Sequence, residues 1–448
     1  MSEPGPLTLV LRYADVGIAT YASLRIVGQT SRTVTWVIEE PILLATLREL
    51  ADALPEPHGS ENRRDAIERA LTRGPFSQPD TELTLAYILG VLLIGTAGWQ
   101  LLTECVASPR AVLFVSPTAR LARVPWGLLA VPKSGPSKEE LVRARQEAIT
   151  ASGRVAARIP WQLTDISDHT DGHRLMELVD VMMAAPQNIV HSPRAPAGWD
   201  SRRDNPPVLV LDPRVPGQLP DSALGSVLGR PSAQAPLVRH YAELMRRRPV
   251  LPDADDAVEL FRRREADRTW LAKVLSRAPS RLMYVGHASS AEGQADRAAL
   301  HLACAAEIPG DADAIGNHRP LTASDLMSLQ LPMPPRVALL ACGSGGDYQF
   351  DEATGLVAAM ILSGAQLATA TLWSLPTTAA YRQFAGHEGA EPMADVVIAV
   401  DCAHAEAEAG CALNRWQREQ MRRWRDGDLT ASPLYWGALV TFAVDSAR

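Results

Sequence analysis

A chain of 448 residues, 46% hydrophobic and 21% charged, can bury a large core and exceeds the usual single-domain size, so two or three structural units are expected. Its formal net charge of -7 argues against a protein whose main task is to grip nucleic-acid phosphates. Five cysteines (Cys105, Cys304, Cys342, Cys402 and Cys411) are odd in number and too scattered for a disulfide framework or a zinc site.

Residues 1–40 lack the cationic start, apolar run and small-residue cleavage site of a secretory leader. The longest apolar stretch, "LAYILGVLLIGTAGW", falls short of a membrane span. The expectation is a cytoplasmic protein that binds neither membrane nor nucleic acid.

In chain order, "LTLVLRY" and "RTVTWVIEE" predict two strands around a polar turn, and "PILLATLRELADAL" has apolar residues at helical spacing. Residues 1–80 therefore read as a small α/β N-terminal unit, with regulation or partner docking as its expected task. A polar, proline-flanked stretch over residues 55–82 fits a boundary near 80. Beyond it, "LTLAYILGVLLIGTAGWQLLTECV" predicts one long, mostly buried helix, and "AVLFVSPTARLARVPWGLLAVP" a buried strand, a turn and a Pro-Trp segment. The proline-rich stretches "VPKSGPSKEE" and "HSPRAPAGWDSRRDNPP" read as exposed connections, which sets off a second region over 81–206.

From residue 207 to 448 apolar runs alternate with helical segments, the pattern of a mostly parallel sheet covered by helices. Strands are predicted at "PVLVLDP", "SRLMYVGH", "RVALLACG" and "AQLATATLW". Helices are predicted at "DAVELFRRREADRTWLAKVLSRA", "TASDLMSL" and "EATGLVAAMILSG", the last stopped by Gly364.

Two of these strands end alike. "RLMYVGH" delivers His287 and "RVALLAC" delivers Cys342 onto glycine- and serine-rich turns at the carboxyl edge of a sheet, where sites form in open parallel sheets. An imidazole beside a thiol stabilises the thiolate and later protonates a leaving group, and nearby glycines let backbone N–H groups approach an oxyanion. Ser344, Gly345 and Gly346 keep the approach open. On the residues alone, a buried cysteine and a strand-capping histidine remain the competing reading.

Seven segments, in order, carry a resemblance: "ARLARVPWGLLAVP", "PVLVLDPRVPGQLPDSALGSVLG", "APSRLMYVGHAS", "AALHLAC", "LTASDLMSLQLPMPPRVALLACGSG", "DEATGLVAAMILSGAQLATATLWSLP" and "SPLYWGALVTFA". Over roughly residues 80–448 the sequence resembles the CHAT family and, through it, the caspase–separase–gingipain group of cysteine proteases. The resemblance implies a caspase-like α/β/α sandwich with Cys342 as nucleophile, His287 as base, and oxyanion donors around Gly286, Ala288 and Gly343. No cofactor and no metal are expected. The resemblance also implies a protein substrate, cut through an acyl-enzyme, and a protein activator encoded nearby in a prokaryotic defence or conflict system. A protein-binding module that keeps the fold, and acyl transfer by the same thiol, are the alternatives.

Two departures bear on the site. Ala288 stands where the family commonly has glycine, and "WSLPTT" replaces an acid-bearing segment. Trp373, Leu375, Pro376 and Thr377 then predict an apolar pocket for an uncharged substrate side chain. Asp347, Asp351 and Glu352 read either as an ordinary helix start or as acids reaching the pocket. His301 with Cys304, and Cys402 with His404 and Cys411, lack the further ligands and spacing of a metal site.

Overall fold

The computed structural model describes residues 7–106, 111–133, 165–185, 198–219, 222–291, 294–341 and 355–444, with a few single positions between 108 and 163. The chain divides into two compact units, Met1–Met183 with Asn414–Gly437 and Ala184–Leu413 with Ala438–Arg448. This division groups the N-terminal 80 residues with those up to 183, whereas the sequence suggested boundaries near 80 and 206.

In the first unit, strands β1 (Thr8–Asp15), β2 (Ala19–Ile26) and β3 (Gln29–Glu39) form an antiparallel meander, followed by helices α1 (Glu40–Ala53), α2 (Arg63–Thr72), α3 (Pro79–Leu93) and α4 (Thr96–Cys105). Strands β4 (Val112–Ser116) and β5 (Asp180–Ala184) follow, and the order is β3-β2-β1-β4-β5. Three strands replace the two expected before α1. The middle one, "ATYASLRI", buries Thr20, Ala22, Leu24 and Ile26 on alternate positions, a period-2 pattern that its small and polar residues disguise.

The predicted long helix is two helices, with axes bent by 102° between α3 and α4. Contacts from distant residues account for the break. The Leu93 carbonyl accepts from the Tyr13 hydroxyl (2.7 Å) and from the Trp36 indole N–H (3.1 Å). Gly95 then lies so close to Trp36 that a Cβ there would meet the indole Cγ at 2.9 Å. Among the described residues no single helix is long and apolar enough to cross a membrane; α3 and α4 reach that length and apolarity only together, across the bend.

The second unit holds β6 (Val208–Leu211), α5 (Pro236–Arg247), α6 (Arg268–Leu275), β7 (Arg281–Val285), the hairpin β8 (Ala288–Ala291) and β9 (Gln294–Leu300), β10 (Leu321–Thr322), α7 (Ala323–Ser328) and β11 (Arg336–Leu340). Helix α8 (Leu356–Leu362), β12 (Leu367–Thr371), α9 (Thr378–Ala385), α10 (Pro392–Ala405) and β13 (Leu439–Ala443) complete it. Helix α11 (Ala409–Arg425) starts here, and from Asn414 on it is grouped with the first unit. The strand order is β13-β12-β11-β7-β6, parallel except for β13 against β12, and β10-β9-β8 form a small separate sheet. The fold is α/β, as the alternating pattern required.

Both faces of this sheet are covered. The Arg281 guanidinium pairs with Asp401 of α10 at 2.8 Å, and Arg336 donates to the His404 and Ala407 carbonyls, so these side chains and α10 share one face. Tyr284, which alternates with Arg281 on β7, sends its hydroxyl to the opposite face, where the β8–β9 hairpin lies. Burial opposes ionisation of Asp401, but Arg281 and His240 outweigh it and hold the carboxyl at about 2.

A second predicted helix also departs from expectation. The stretch 256–278 does not form one helix: a short turn at Ala257–Leu260 is followed by extended Phe261, by Arg262 at φ +55°, and only then by α6. Asp256 caps the turn at Val258 N (2.9 Å) and Asp267 caps α6 at Trp270 N (2.8 Å), so each aspartate starts its own segment. Helix α5 begins at Pro236 and buries Leu237, Val238 and Tyr241.

Candidate active site

Strands β7 and β11 are parallel neighbours whose register ends at Val285 opposite Leu340, with Gly286 N donating to Leu340 O at 3.2 Å. His287 and Cys342 are each two residues beyond this last pair. Cys342 lies outside the described residues, as do Gly343, Asp347, Asp351 and Glu352.

His287 is 8% exposed, and its Nε2 stands 3.0 Å from the Gly225 carbonyl oxygen. A carbonyl only accepts, so Nε2 carries the proton and the neutral ring keeps its lone pair on Nδ1. One contact thus fixes the tautomer of the candidate base.

That carbonyl is itself held. Arg262 Nη1 donates to Gly225 O (3.2 Å) and to Asp212 Oδ1 (3.2 Å). The Asp212 carboxylate also accepts from Ser226 Oγ (2.5 Å), Val227 N (3.2 Å) and Leu228 N (3.4 Å), which wraps the 225–228 turn around it. Asp212 is 1% exposed, and both Asp212 and Arg262 have left-handed backbones, φ +52° and +55°, at the end of β6 and beside it. Strain of this kind in two non-glycine residues is maintained only where surroundings enforce it.

Beneath the histidine, the Tyr284 hydroxyl lies 2.7 Å from His287 O and 3.1 Å from His301 O, tying the turn to the hairpin. Gly286 is required here, because a Cβ would meet the Tyr284 oxygen at 2.8 Å and Pro213 Cδ at 3.3 Å. His301 N donates to His287 O at 3.0 Å, so these two residues form a hydrogen-bonded antiparallel pair. In the next pair, Ala288 opposite Leu300, the alternation turns the Ala288 N–H away from β9.

The pocket residues separate. Trp373 is 0% exposed and belongs to the core, and Pro376 is buried. Leu375 and Thr377 are half-buried, with Thr377 Oγ1 accepting from Ala380 N at 3.2 Å to cap α9. His404 is buried on α10 against Thr369 Oγ1 at 2.8 Å, Cys411 is buried and Cys402 exposed. Among the described residues no group of three or more His, Cys, Asp or Glu side chains could hold a metal ion. Sequence reading missed Asp212, Gly225 and Arg262. The only hint was "LDP", an aspartate directly after an apolar strand.

The CHAT domain model matches residues 93–443. The chain belongs to the CHAT-domain family. No curated protein matches it. Two solved structures of the Saccharomyces cerevisiae separase–securin complex resemble this CHAT protein at 9% identity and a TM-score of 0.38, covering 98% of this chain and 30% of the separase chain. The chain thus spans about a third of the separase length, and at this TM-score the likeness carries no argument about activity.

Proposed function

We propose that this CHAT protein is a caspase-like cysteine endopeptidase that cleaves a protein partner through an acyl-enzyme on Cys342. The observation that supports it best is the register of β7 and β11: neighbouring parallel strands, paired through Val285 and Leu340, lead in the same number of residues to an imidazole and a thiol.

With Nε2–H committed to Gly225 O, Nδ1 is the atom left to take a proton. In the proposed sequence the Cys342 thiol gives its proton to Nδ1, and Sγ bonds the scissile carbonyl carbon. The C–N bond then breaks as Nδ1–H protonates the leaving amine, and water releases the acyl group by the same path in reverse. The Ala288 N–H would face the developing oxyanion.

The substrate and an activator are proposed to be proteins encoded nearby, in a prokaryotic defence or conflict setting, and the protein is proposed to work in the cytoplasm without a cofactor. The reading is tested by incubating the wild-type protein, Cys342→Ala and His287→Ala with neighbouring gene products and sequencing new termini. New termini from the wild type alone support it. Equal cleavage by Cys342→Ala refutes it, and association without cleavage favours a protein-binding module.

A further inference from the structure

Three polar side chains that the thiol mechanism does not use form a chain beside His287. His318 Nδ1 lies 2.9 Å from the Cys304 carbonyl oxygen, so it donates, and its Nε2 keeps the lone pair. That Nε2 stands 3.0 Å from His301 Nδ1, which must then donate. His301 Nε2 is left with its lone pair 3.1 Å from Ser289 Oγ. One terminal carbonyl therefore orders every proton in the chain and directs the Ser289 O–H toward an imidazole. His301 and His318 are 1% and 0% exposed, whereas Ser289 is exposed on β8. A solute can reach the hydroxyl while its base stays shielded.

A nucleophile, a base within hydrogen-bond reach, and a third group that fixes the tautomer of the base are the parts of an activated serine. We propose that Ser289, His301 and His318 form a second reactive site, a serine nucleophile that takes an acyl group from an activated ester or thioester. Ser289 Oγ bonds the acyl carbon as its proton passes to His301 Nε2. Collapse of the adduct breaks the bond to the leaving alcohol or thiol, which takes that proton. Water then repeats the steps: its oxygen bonds the acyl carbon, its proton goes to Nε2, and Ser289 Oγ leaves with that proton, freeing a carboxylic acid.

The substrate class follows from the third group. His318 is a neutral imidazole, so it orients His301 without the charge compensation that a carboxylate would supply, and the leaving group must be good. Burial, then His318 and His287, push the His301 pKa down to about 3, while burial, with a smaller part from Arg268, lowers that of His318 against the hydrogen bond to the Cys304 carbonyl. The base thus stays unprotonated in mild acid, and the reaction should keep its rate at pH 5, where an ordinary histidine, protonated near pH 6.5, would lose most of it.

The test uses the full chain carrying Cys342→Ala, an alkyl fluorophosphonate as probe, and mass spectrometry of the Ser289 peptide. It is independent of whether Cys342 cleaves peptides. Expected are an adduct on Ser289 that is absent in Ser289→Ala, a fall of about tenfold or more in labelling rate in both His301→Gln and His318→Gln, and similar rates at pH 5 and 7. Melting curves identify any histidine variant that fails to fold. No adduct on Ser289, or unchanged labelling in folded His301→Gln, would make Ser289 an ordinary surface hydroxyl and overturn the proposal.

Discussion

His287 Nε2 and the Gly225 carbonyl oxygen stand 3.0 Å apart, and the carbonyl is positioned by an Asp212–Arg262 pair that does not touch the imidazole. The Asp212 carboxylate accounts for four donors, so Asp212→Asn would set an amide N–H against donors and release the turn. The expected result is a fall of roughly 10–100-fold in kcat/KM on a cleaved peptide, carried mainly by kcat. Nitrogen-15 spectra of the His287 ring should show Nε2–H in the wild type and a mixture of tautomers in the variant, a change that mere loss of stability does not produce.

Gly286 and Tyr284 give a second prediction. Gly286→Ala must push the Tyr284 hydroxyl off the His287 and His301 carbonyls, because its Cβ would lie 2.8 Å from that oxygen. Tyr284→Phe removes the same donor without added volume. Urea unfolding should place both variants about 1–3 kcal/mol below the wild type, the usual cost of losing buried hydrogen bonds, although the His287 carbonyl keeps the His301 N–H.

Stability should fall as the solution is acidified from about pH 6.5 toward 3. Burial, then the nearby Arg336, hold His404 at about 3, and burial holds His301 at about 3. Between those values and 6.5 the unfolded chain binds protons that the native chain does not, so each group removes about 1.4 kcal/mol per pH unit on the way down. Asp401, lowered to about 2, adds a loss only below about pH 4. Midpoints of urea unfolding against pH check the sign, and His404→Gln should flatten the slope.

Substrate preference is the fourth prediction. Trp373 is fully buried, so the side chain before the scissile bond would meet Leu375 and Thr377, neither of which can pair a guanidinium. A buried, unpaired charge costs several kcal/mol. A positional-scanning peptide library should favour an uncharged residue at that position. Dominant arginine or lysine, lost on replacing Asp347, Asp351 or Glu352, would transfer the pocket to the acidic loop.

Much of this arrangement was legible in the sequence because it is written in strands. "RLMYVGH" and "RVALLAC" are continuous apolar runs ending in one reactive residue, and the strand termini fall within three residues of where the runs predicted them. What could not be read depends on contacts between distant residues. Asp212 and Arg262 are 50 positions apart, and their pairing depends on two left-handed backbones that no local pattern signals. The break between α3 and α4 depends on Trp36, 57 residues from the carbonyl it takes. Strand β2 was hidden by small and polar residues on its buried face.

The central claim, that His287 activates Cys342, is tested most directly by the rate of Cys342 alkylation with iodoacetamide between pH 5 and 9, read by mass spectrometry in the wild type and His287→Ala. Burial raises the thiol pKa of Cys105 and Cys304, which keeps these competitors slow in mild acid. The account predicts that Cys342 is alkylated at least about tenfold faster than the other cysteines at pH 6, and that His287→Ala removes this advantage. A Cys342 that titrates near pH 8.5 and reacts equally in both proteins would contradict it.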